Sequence, residues 1–296
     1  SVQEVMDLSA VAHLAAIKGR VPFINFFDGF RTSHEYQKIE VMDQEDLRPL
    51  VPMDKVSEFR NRALSPEHPV ARGMAENPET FFAHREVCNA YYDAVPAIVE
   101  KYMAAVSKIT GREYKLFSYY GADDAERVII CMGSVTEAAR EAIDYLNAKG
   151  EKVGMVSVHL YRPFSVKHLL AAVPKTCKKI AVLDRTKEPG ASGEPLYLDV
   201  KDAFYNEKER PVISVFDNLA LPEPKDHFTV GIVDDVTFAS LPLEEEKALG
   251  GEGIFEAKFY GLGADGTVGA NKNSVKIIGD NTDKYCQAYF SYDSKK

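Results

Sequence analysis

Strand-like and helix-like runs alternate along residues 126–216 of this 296-residue chain. Each strand-like run is short and apolar, and each is followed by a helix-like run before the next strand begins. Strands joined in this way predict a parallel sheet covered by helices on both faces, because parallel neighbours need a long crossover connection. The predicted strands are Arg127–Gly133, Val153–Leu160, Lys179–Asp184 and Pro211–Phe216, and the predicted helices are Val135–Lys149, Ser165–Ala172 and Glu194–Tyr205.

The residues before this region also follow an α/β pattern. Ser1–Gly19 carries apolar residues on a broad helical face with Ser1 as N-cap, and the apolar run Arg20–Phe27 is predicted to be a core strand. Residues 41–80 hold several prolines and no sustained period, which predicts an excursion over a surface, followed by a helix from Pro78 to Ile109. Because the pattern opens on a helix, with no start methionine and no preceding strand, we expect a first half to precede Ser1.

A new unit begins near the end of the chain. Its predicted elements are a strand at Ile254–Tyr260, a helix at Ala270–Ile278 and a second strand at Tyr285–Tyr292. One β-α-β unit is too small to bury a core alone, so we expect further residues after Lys296. The acidic, turn-rich stretch Asp217–Gly253 is interpreted as a connector with one short strand at Phe228–Val233.

Charge and hydropathy narrow the function classes. The net charge of −9 and the isoelectric point near 5.4 argue against binding to nucleic acid or to an anionic membrane, because both need a basic face. No stretch approaches the roughly 18 apolar residues that span a bilayer, and no secretion signal opens the chain, so a cytoplasmic location is expected. The four cysteines form no C-x-x-C pair, so no metal site is predicted in this segment.

The most informative local motif is a glycine-rich turn between the predicted strand and helix of the C-terminal unit. Gly261, Gly263 and Gly266 fit the pattern G-x-G-x-x-G, in which glycines let the backbone turn tightly and approach a pyrophosphate. Free N–H groups and the positive end of the helix dipole would meet the phosphate charge. The same pattern fits a tight connection that binds nothing, and the residues alone leave both interpretations open.

Two lysines, Lys295 and Lys296, follow the last predicted strand. Neighbouring parallel strands would bring the end of Tyr285–Tyr292 beside the glycine turn, where these cations would favour a ligand with a ribose phosphate, such as NADP or coenzyme A. An ordinary solvated lysine pair is the alternative.

Polar residues elsewhere also leave alternatives open. The loop Thr186–Pro195 follows a strand at the carboxyl edge of the predicted sheet, where it would either bind an anion or cap the next helix through residues 192–194. Gly133-Ser134 poses the same alternative. The polar cluster Arg31–Glu35 is either an active-site edge or an interface between domains. No Ser/His/Asp or Cys/His arrangement can be argued from the sequence alone.

Five separated stretches resemble the single-chain pyruvate:ferredoxin (or flavodoxin) oxidoreductases, and together they extend over essentially the whole chain. The stretch from Gly261 to Ser274, Gly-Leu-Gly-Ala-Asp-Gly-Thr-Val-Gly-Ala-Asn-Lys-Asn-Ser, is highly specific to 2-oxoacid:acceptor oxidoreductases. The other four stretches are Ser1–Leu8, Phe26–Glu35, His159–Ser165 and Asp226–Phe238.

The resemblance implies a fold class and a domain order. Residues 1–114 are similar to the C-terminal half of a thiamine-pyrimidine-binding α/β domain, and 115–250 to a transketolase-C-like parallel-sheet domain with its connector. Residues 251–296 are similar to the first β-α-β unit of a Rossmann-like, gamma-type coenzyme A-binding domain. The resemblance puts the catalytic residues, the ligands of thiamine diphosphate with Mg, and the ligands of the iron–sulfur (4Fe-4S) clusters outside this segment, so no catalytic residue is expected in it.

The resemblance also implies a function. The whole enzyme would oxidatively decarboxylate pyruvate to acetyl-CoA and CO2 as a cytoplasmic homodimer and pass electrons to ferredoxin or flavodoxin. This segment would depend on the rest of its own chain and would be inactive alone. Coenzyme A would contact Gly263, Ala264, Asp265, Gly266 and Thr267 and a lysine of Lys295-Lys296. The rival hypotheses are an NADP-binding oxidoreductase domain and a non-catalytic Rossmann-like scaffold.

The sequence departs from the family pattern between Phe216 and Asp217. Family members usually carry a glycine-rich loop and a helix after a strand like Val212–Phe216, whereas here Phe216 is followed directly by Asp217. The sequence is compatible with a deletion and with an omitted stretch, and either would alter the packing at the end of the middle domain.

Overall fold

A computed structural model describes residues 1–69, 75–205, 212–213, 238, 240–242, 253–262 and 264–291, which form a mixed α/β structure with a parallel sheet. The chain divides into two compact units. The first holds the described parts of residues 1–116, 160–163 and 275–296, and the second holds those of 117–159 and 164–274. No described helix combines the length and apolar composition needed to cross a membrane. The short strand predicted at Phe228–Val233 lies outside the described residues.

In chain order, the elements are α1 (Val2–Gly19), α2 (Arg31–His34), β1 (Tyr36–Gln37), α3 (Gln44–Leu47), a 3-10 turn (Arg48–Leu50), α4 (Met53–Asn61), α5 (Pro78–Thr110), β2 (Phe117–Gly121), β3 (Arg127–Cys131), α6 (Val135–Ala148), β4 (Val153–Val158), α7 (Val166–Ala172), β5 (Lys179–Val182), α8 (Pro195–Ala203), β6 (Val212–Ile213), α9 (Thr267–Asn281) and β7 (Gln287–Ala288).

Helix α1 forms as predicted, and Ser1 caps it. The Ser1 hydroxyl accepts a hydrogen bond from the Glu4 N–H at 3.2 Å, while the Glu4 carboxylate accepts one from the Ser1 amine at 3.0 Å. This capping box satisfies two donors at the helix start. Helix α1 packs against α5, which begins at the predicted Pro78 and ends one residue after the predicted Ile109. These two helices bury Val11, Leu14, Ala15, Val95, Val99, Met103 and Val106.

The predicted core strand Arg20–Phe27 is wrong. Residues 21–28 form no strand, and the side chain of Ile24 is 85% exposed. An apolar run becomes a strand only where a neighbouring strand pairs with its backbone N–H and C=O groups. No strand in the described part of the chain lies beside this run, so its apolar composition alone does not make it a strand.

A buried carboxylate links α1 to the residues that follow α5. Asp7 is fully buried and accepts hydrogen bonds from Arg112 Nε at 2.7 Å, the Tyr114 hydroxyl at 2.6 Å and Gln3 Nε2 at 3.1 Å. Arg112 also donates to the exposed Glu40 carboxylate at 2.6 Å. Burial, followed by the hydrogen bond to Asp7, raises the pKa of Tyr114. The charge of Asp7 is thus compensated from several directions within the first unit.

The second unit is built on a five-stranded sheet with the order β2-β4-β3-β5-β6. Strands β4, β3, β5 and β6 are parallel, as predicted from the helices that join them. The edge strand β2 runs antiparallel to β4 and was not predicted, although its aromatic residues favour a strand. On one face, Ala139 and Ile143 of α6 pack against Cys131, Val153 and Met155 of β3 and β4.

The predicted C-terminal β-α-β unit is only partly formed. Its helix is α9, but Ile254–Tyr260 forms no strand and the side chain of Phe255 is 90% exposed. The second predicted strand shortens to β7, which pairs antiparallel with β1, so that Tyr36 lies opposite Ala288. Local apolar runs predict strands, but the identity of the pairing partner depends on distant segments. The expected parallel pair is therefore a wrong prediction.

Candidate functional site

The glycine turn predicted from the sequence leads directly into α9. Gly266 has a φ of +86°, a left-handed conformation that favours glycine, and its carbonyl accepts the N–H of Ala270 at 2.9 Å. Gly261 meets a different requirement, since a Cβ at this position would lie 2.6 Å from Thr267 Oγ1 and 2.7 Å from Asp265 Oδ1. The turn therefore needs one glycine for backbone conformation and another for close approach.

The side chain of Asp265 links the two ends of this turn by hydrogen bonds. Its Oδ1 accepts the Thr267 N–H at 2.9 Å and its Oδ2 accepts the Leu262 N–H at 3.1 Å. The hydrogen bonds from the backbone and the hydroxyl of Thr267, and then from Leu262, hold the pKa of Asp265 below its usual range although the side chain is exposed. A carboxylate of the loop itself therefore occupies two of the donors that a phosphate could use at this helix start.

The structure brings three of the predicted coenzyme A contacts, Asp265, Gly266 and Thr267, into one turn, and Ala264 is exposed beside them. The role of Asp265 in closing the turn was missed from the sequence. The available signal was an aspartate two positions before the first helical residue, a type and place that favour capping. The remaining predicted contacts, Gly263, Lys295 and Lys296, lie outside the described residues.

The loop after β5 caps helix α8, but not through the predicted residues 192–194. Asp184 accepts the backbone N–H of Leu196 at 3.3 Å and that of Tyr197 at 3.0 Å, whereas the side chain of Glu194 makes no capping hydrogen bond. Burial raises the pKa of Asp184, and the two N–H groups act in the opposite direction. The helix is capped from the end of the preceding strand, because α8 begins close to the carboxyl end of β5.

The polar cluster Arg31–Glu35 is organised around its own backbone. The Ser33 hydroxyl accepts the N–H of Phe30 at 2.9 Å and lies 2.8 Å from His34 Nδ1, while the rings of Phe30 and His34 stack with centroids 5.0 Å apart. These contacts define a local turn, and the residues of the cluster show no arrangement of nucleophile, base and oxyanion donors. No catalytic role is assigned to them.

Two family models match adjacent parts of the chain. Residues 1–104 match the model described as pyruvate flavodoxin/ferredoxin oxidoreductase, thiamine diphosphate-binding. Residues 125–223 match the model described as pyruvate:ferredoxin oxidoreductase core domain II.

Curated relatives match along the entire chain. The pyruvate-flavodoxin oxidoreductases of Enterobacter agglomerans and Klebsiella pneumoniae are 61% and 59% identical to it, and the pyruvate:ferredoxin oxidoreductase of Moorella thermoacetica is 55% identical. Each match covers 100% of this chain and 27% of the relative. The first two alignments run over 315 positions against the 296 residues of this chain, so these relatives carry residues that it lacks.

Among solved structures, the chain matches a 2-oxoglutarate:ferredoxin oxidoreductase from Magnetococcus marinus with 2-oxoglutarate, coenzyme A and succinyl-CoA bound. The match covers 66% of this chain and 29% of that chain at 19% identity, with a TM-score of 0.30. A structural likeness of this size supports no conclusion about fold or ligands.

Proposed function

The chain belongs to the family of pyruvate:flavodoxin and pyruvate:ferredoxin oxidoreductases, and on this basis we propose that it serves in the oxidative decarboxylation of pyruvate. The reaction converts pyruvate and coenzyme A to acetyl-CoA and CO2, and the two electrons released pass to ferredoxin or flavodoxin. The observation that carries the proposal is the identity of 55% to 61% over the whole length of the chain. The chain spans only 27% of these relatives, so it contributes part of the machinery.

The first contribution is to coenzyme A binding at the turn Gly263–Thr267. Two observations support it: the turn is exposed, and it opens a 15-residue helix whose dipole favours an anionic group near Thr267. Because Asp265 engages the N–H groups of Leu262 and Thr267, the ligand phosphate would bind the other backbone N–H groups of the turn. Lys295 or Lys296 would then meet the ribose phosphate, which distinguishes coenzyme A from its dephosphorylated form.

The second contribution is structural, to the contacts that complete the thiamine site. The support is a group of large apolar side chains in the first unit that are individually exposed: Ile24, Phe26, Phe30, Phe81, Phe82 and Val87. Where such side chains form a contiguous patch, the patch marks a surface that other protein segments cover. We assign these side chains to contacts with the rest of the enzyme, including a second subunit of a cytoplasmic homodimer. Thiamine diphosphate with Mg and the 4Fe-4S clusters would be held by residues outside this segment.

The same proposal assigns a domain to each part of the chain. Residues 1–114 would be the C-terminal half of a thiamine-pyrimidine-type domain, 115–250 a transketolase-C-like domain with its connector, and 251–296 the start of a Rossmann-like coenzyme A domain. The matches to the thiamine diphosphate-binding model over 1–104 and to core domain II over 125–223 support the first two assignments.

A pair of glycine substitutions in the full-length protein tests the coenzyme A site. In Gly261→Ala, the new Cβ would clash with Thr267 and Asp265 and open the turn, whereas a Cβ at Gly269 meets nothing within 4 Å. Hydrogen bonds to a charged group contribute about 1.5–3 kcal/mol, so losing one should raise the KM for coenzyme A about tenfold or more. The assay is pyruvate-dependent reduction of methyl viologen, with KM measured separately for coenzyme A and for pyruvate.

The expected pattern is a raised KM for coenzyme A in Gly261→Ala, an unchanged KM for pyruvate, and normal constants for both substrates in Gly269→Ala. Unchanged coenzyme A kinetics in Gly261→Ala would remove the turn from the site. Dephospho-coenzyme A tests the lysines, because the double variant Lys295→Gln/Lys296→Gln should lose the preference for coenzyme A. Saturable NADP binding at this turn would instead favour the NADP-binding hypothesis. If none of the variants weakened the binding of any ligand, the result would favour the hypothesis of a non-catalytic scaffold.

A further inference from the structure

The first unit has an open pocket where the end of α1 meets α4 and α5. Its volume is about 250 Å³, and the residues that line it from α1 and α5 include the small residues Gly19, Ala90 and Ala94. Gly19 is buried, and a Cβ at this position would lie 3.5 Å from Ile98 Cδ1. The small side chains leave a space that would hold about eight water molecules.

Three cationic side chains line the same pocket. Lys18 and Arg20 come from the end of α1, and Lys55 comes from α4. None of the residues that line the pocket in the described structure carries a carboxylate. Positive charges around one small space repel each other, and an anion in that space would relieve the repulsion. The pocket therefore favours a negatively charged occupant.

Lys55 has an acidic partner that does not line the pocket. Its Nζ lies 2.6 Å from Glu58 Oε1 on the same helix, and the Glu58 side chain is 47% exposed. An ion pair this exposed contributes little to stability, so Lys55 can share its charge between Glu58 and a ligand. Within the described part of the chain, neither Lys18 nor Arg20 forms an ion pair. The pocket thus keeps a surplus of positive charge.

The backbone at Arg20 is in a conformation that favours glycine. Arg20 caps the end of α1 with a φ of +56°, in the left-handed region. Its guanidinium carbon lies 5.6 Å from the centre of the Tyr91 ring, which also lines the pocket, and this cation–π contact holds the guanidinium there. A charged residue kept at a strained position indicates that its side chain has a use.

Compensation of helix dipoles is the alternative explanation for these cations. Lys18 lies in the last turn of α1, where a positive charge meets the carbonyl end of the helix, and Arg20 follows it. Lys55, however, is the third residue of α4, at the end of a helix where the dipole disfavours a cation. Dipole compensation therefore explains the two cations of α1 but not the one that faces them from α4.

The size of the pocket limits the class of ligand. At about 250 Å³ it lies below the range of about 300–1,000 Å³ that is typical of drug-sized ligands, so coenzyme A and dinucleotides are too large for it. A guanidinium can bind two oxygens of one phosphate or carboxylate side by side, and each lysine adds a point charge. A small molecule with two or more negative charges fits both the volume and the cations.

We propose that the pocket between α1, α4 and α5 binds a small, multiply charged oxyanion through Arg20, Lys18 and Lys55, and that this anion fastens α4 to α1. Helix α4 buries none of its residues, so few apolar contacts hold it in place. The site lies in the first unit, shares no residue with the glycine turn and does not depend on the proposed coenzyme A role. A phosphate ester and a di- or tricarboxylic acid share the required chemistry and are the two sources to be distinguished.

Hydrogen–deuterium exchange of the full-length protein tests the site locally, because it separates this pocket from anion sites elsewhere. Glycerol phosphate and citrate are titrated separately, with chloride at equal ionic strength as the reference, and exchange is followed in peptides that cover residues 14–20 and 53–61. Arg20→Gln removes the guanidinium, and Lys18→Gln removes a charge without altering the left-handed residue. The matched control is Arg60→Gln, at an exposed position of α4 that does not line the pocket.

In the native protein, saturable protection of residues 53–61 by at least one of the two anions is expected, and the anion with the lower half-saturating concentration identifies the source. Arg20→Gln should raise that concentration about tenfold or more, the loss of one charge-assisted contact. Lys18→Gln should raise it by a smaller factor, and Arg60→Gln should leave it unchanged. Protection by neither anion, equal protection by chloride, or an unchanged half-saturating concentration in Arg20→Gln would overturn the proposal.

Discussion

Replacing Asp7 with asparagine should loosen the first unit more than any exposed charge substitution nearby. The carboxylate is fully buried and accepts hydrogen bonds from Arg112, Tyr114 and Gln3. Asparagine has nearly the same shape but presents one acceptor and one donor, so the amide NH2 group would face a donor already in place. The variant therefore changes charge and hydrogen bonding at an almost constant volume.

The size of the effect follows from the exposure of the partners. Breaking a buried ion pair costs about 3–5 kcal/mol when the remaining charge stays buried, and a buried hydroxyl without its acceptor costs about 1–3 kcal/mol. Tyr114 is buried, but the Arg112 side chain is 29% exposed and regains part of its hydration. We therefore expect a loss of about 2–4 kcal/mol, which corresponds to about 30- to 700-fold faster exchange of protected amides.

Native-state hydrogen exchange in peptides from α1 and the second half of α5 measures this loss. The matched control is Glu40→Gln, because Glu40 binds the same guanidinium but its side chain is 81% exposed. An exposed pair contributes about 0–1 kcal/mol, so the control should change exchange about fivefold at most. Equal effects of the two variants, or a change below tenfold in Asp7→Asn, would refute the argument that burial makes this carboxylate important.

Three further predictions concern the second unit and the chain as a whole. Gly121→Ala should break the β2–β4 pairing, because its Cβ would lie 2.5 Å from the Gly154 Cα. The control is Gly150→Ala, which is also at positive φ but meets nothing within 4 Å, so it should lower the free energy of unfolding only by the conformational strain of about 1–2 kcal/mol. Thermal unfolding of the two variants measures the difference. Burial raises the pKa of Cys131 from 9.0 to about 12. The contribution of the neutral Cys131 thiol to the free energy of unfolding is therefore complete below pH 9 and is lost as the pH rises through 12. Iodoacetamide should modify half-buried Cys88 but not Cys131 in the folded protein at pH 9. The 296-residue chain by itself should show no pyruvate-dependent dye reduction, and measurable turnover would contradict its assignment as part of the machinery.

Local sequence signals determined the helices and the parallel sheet. The capping residues and apolar period of Ser1–Gly19, and the alternating runs after Glu126, predict α1 and the order β3, α6, β4 without reference to distant residues. The glycine turn before α9 is predicted for the same reason, since a left-handed residue and a close approach both require glycine at fixed local positions.

Strand pairing and the contacts between distant loops were decided only by the tertiary structure. Arg20–Phe27 and Ile254–Tyr260 have strand-like composition but form no strand, while β7 pairs antiparallel with the distant β1. The contact between Arg185 and Ser134 likewise depends on the lateral order of β3 and β5, which no local period encodes. The physical reason is common to all of them: a helix satisfies its backbone hydrogen bonds within one segment, whereas a strand and a contact between loops need partners that only the folded chain brings together.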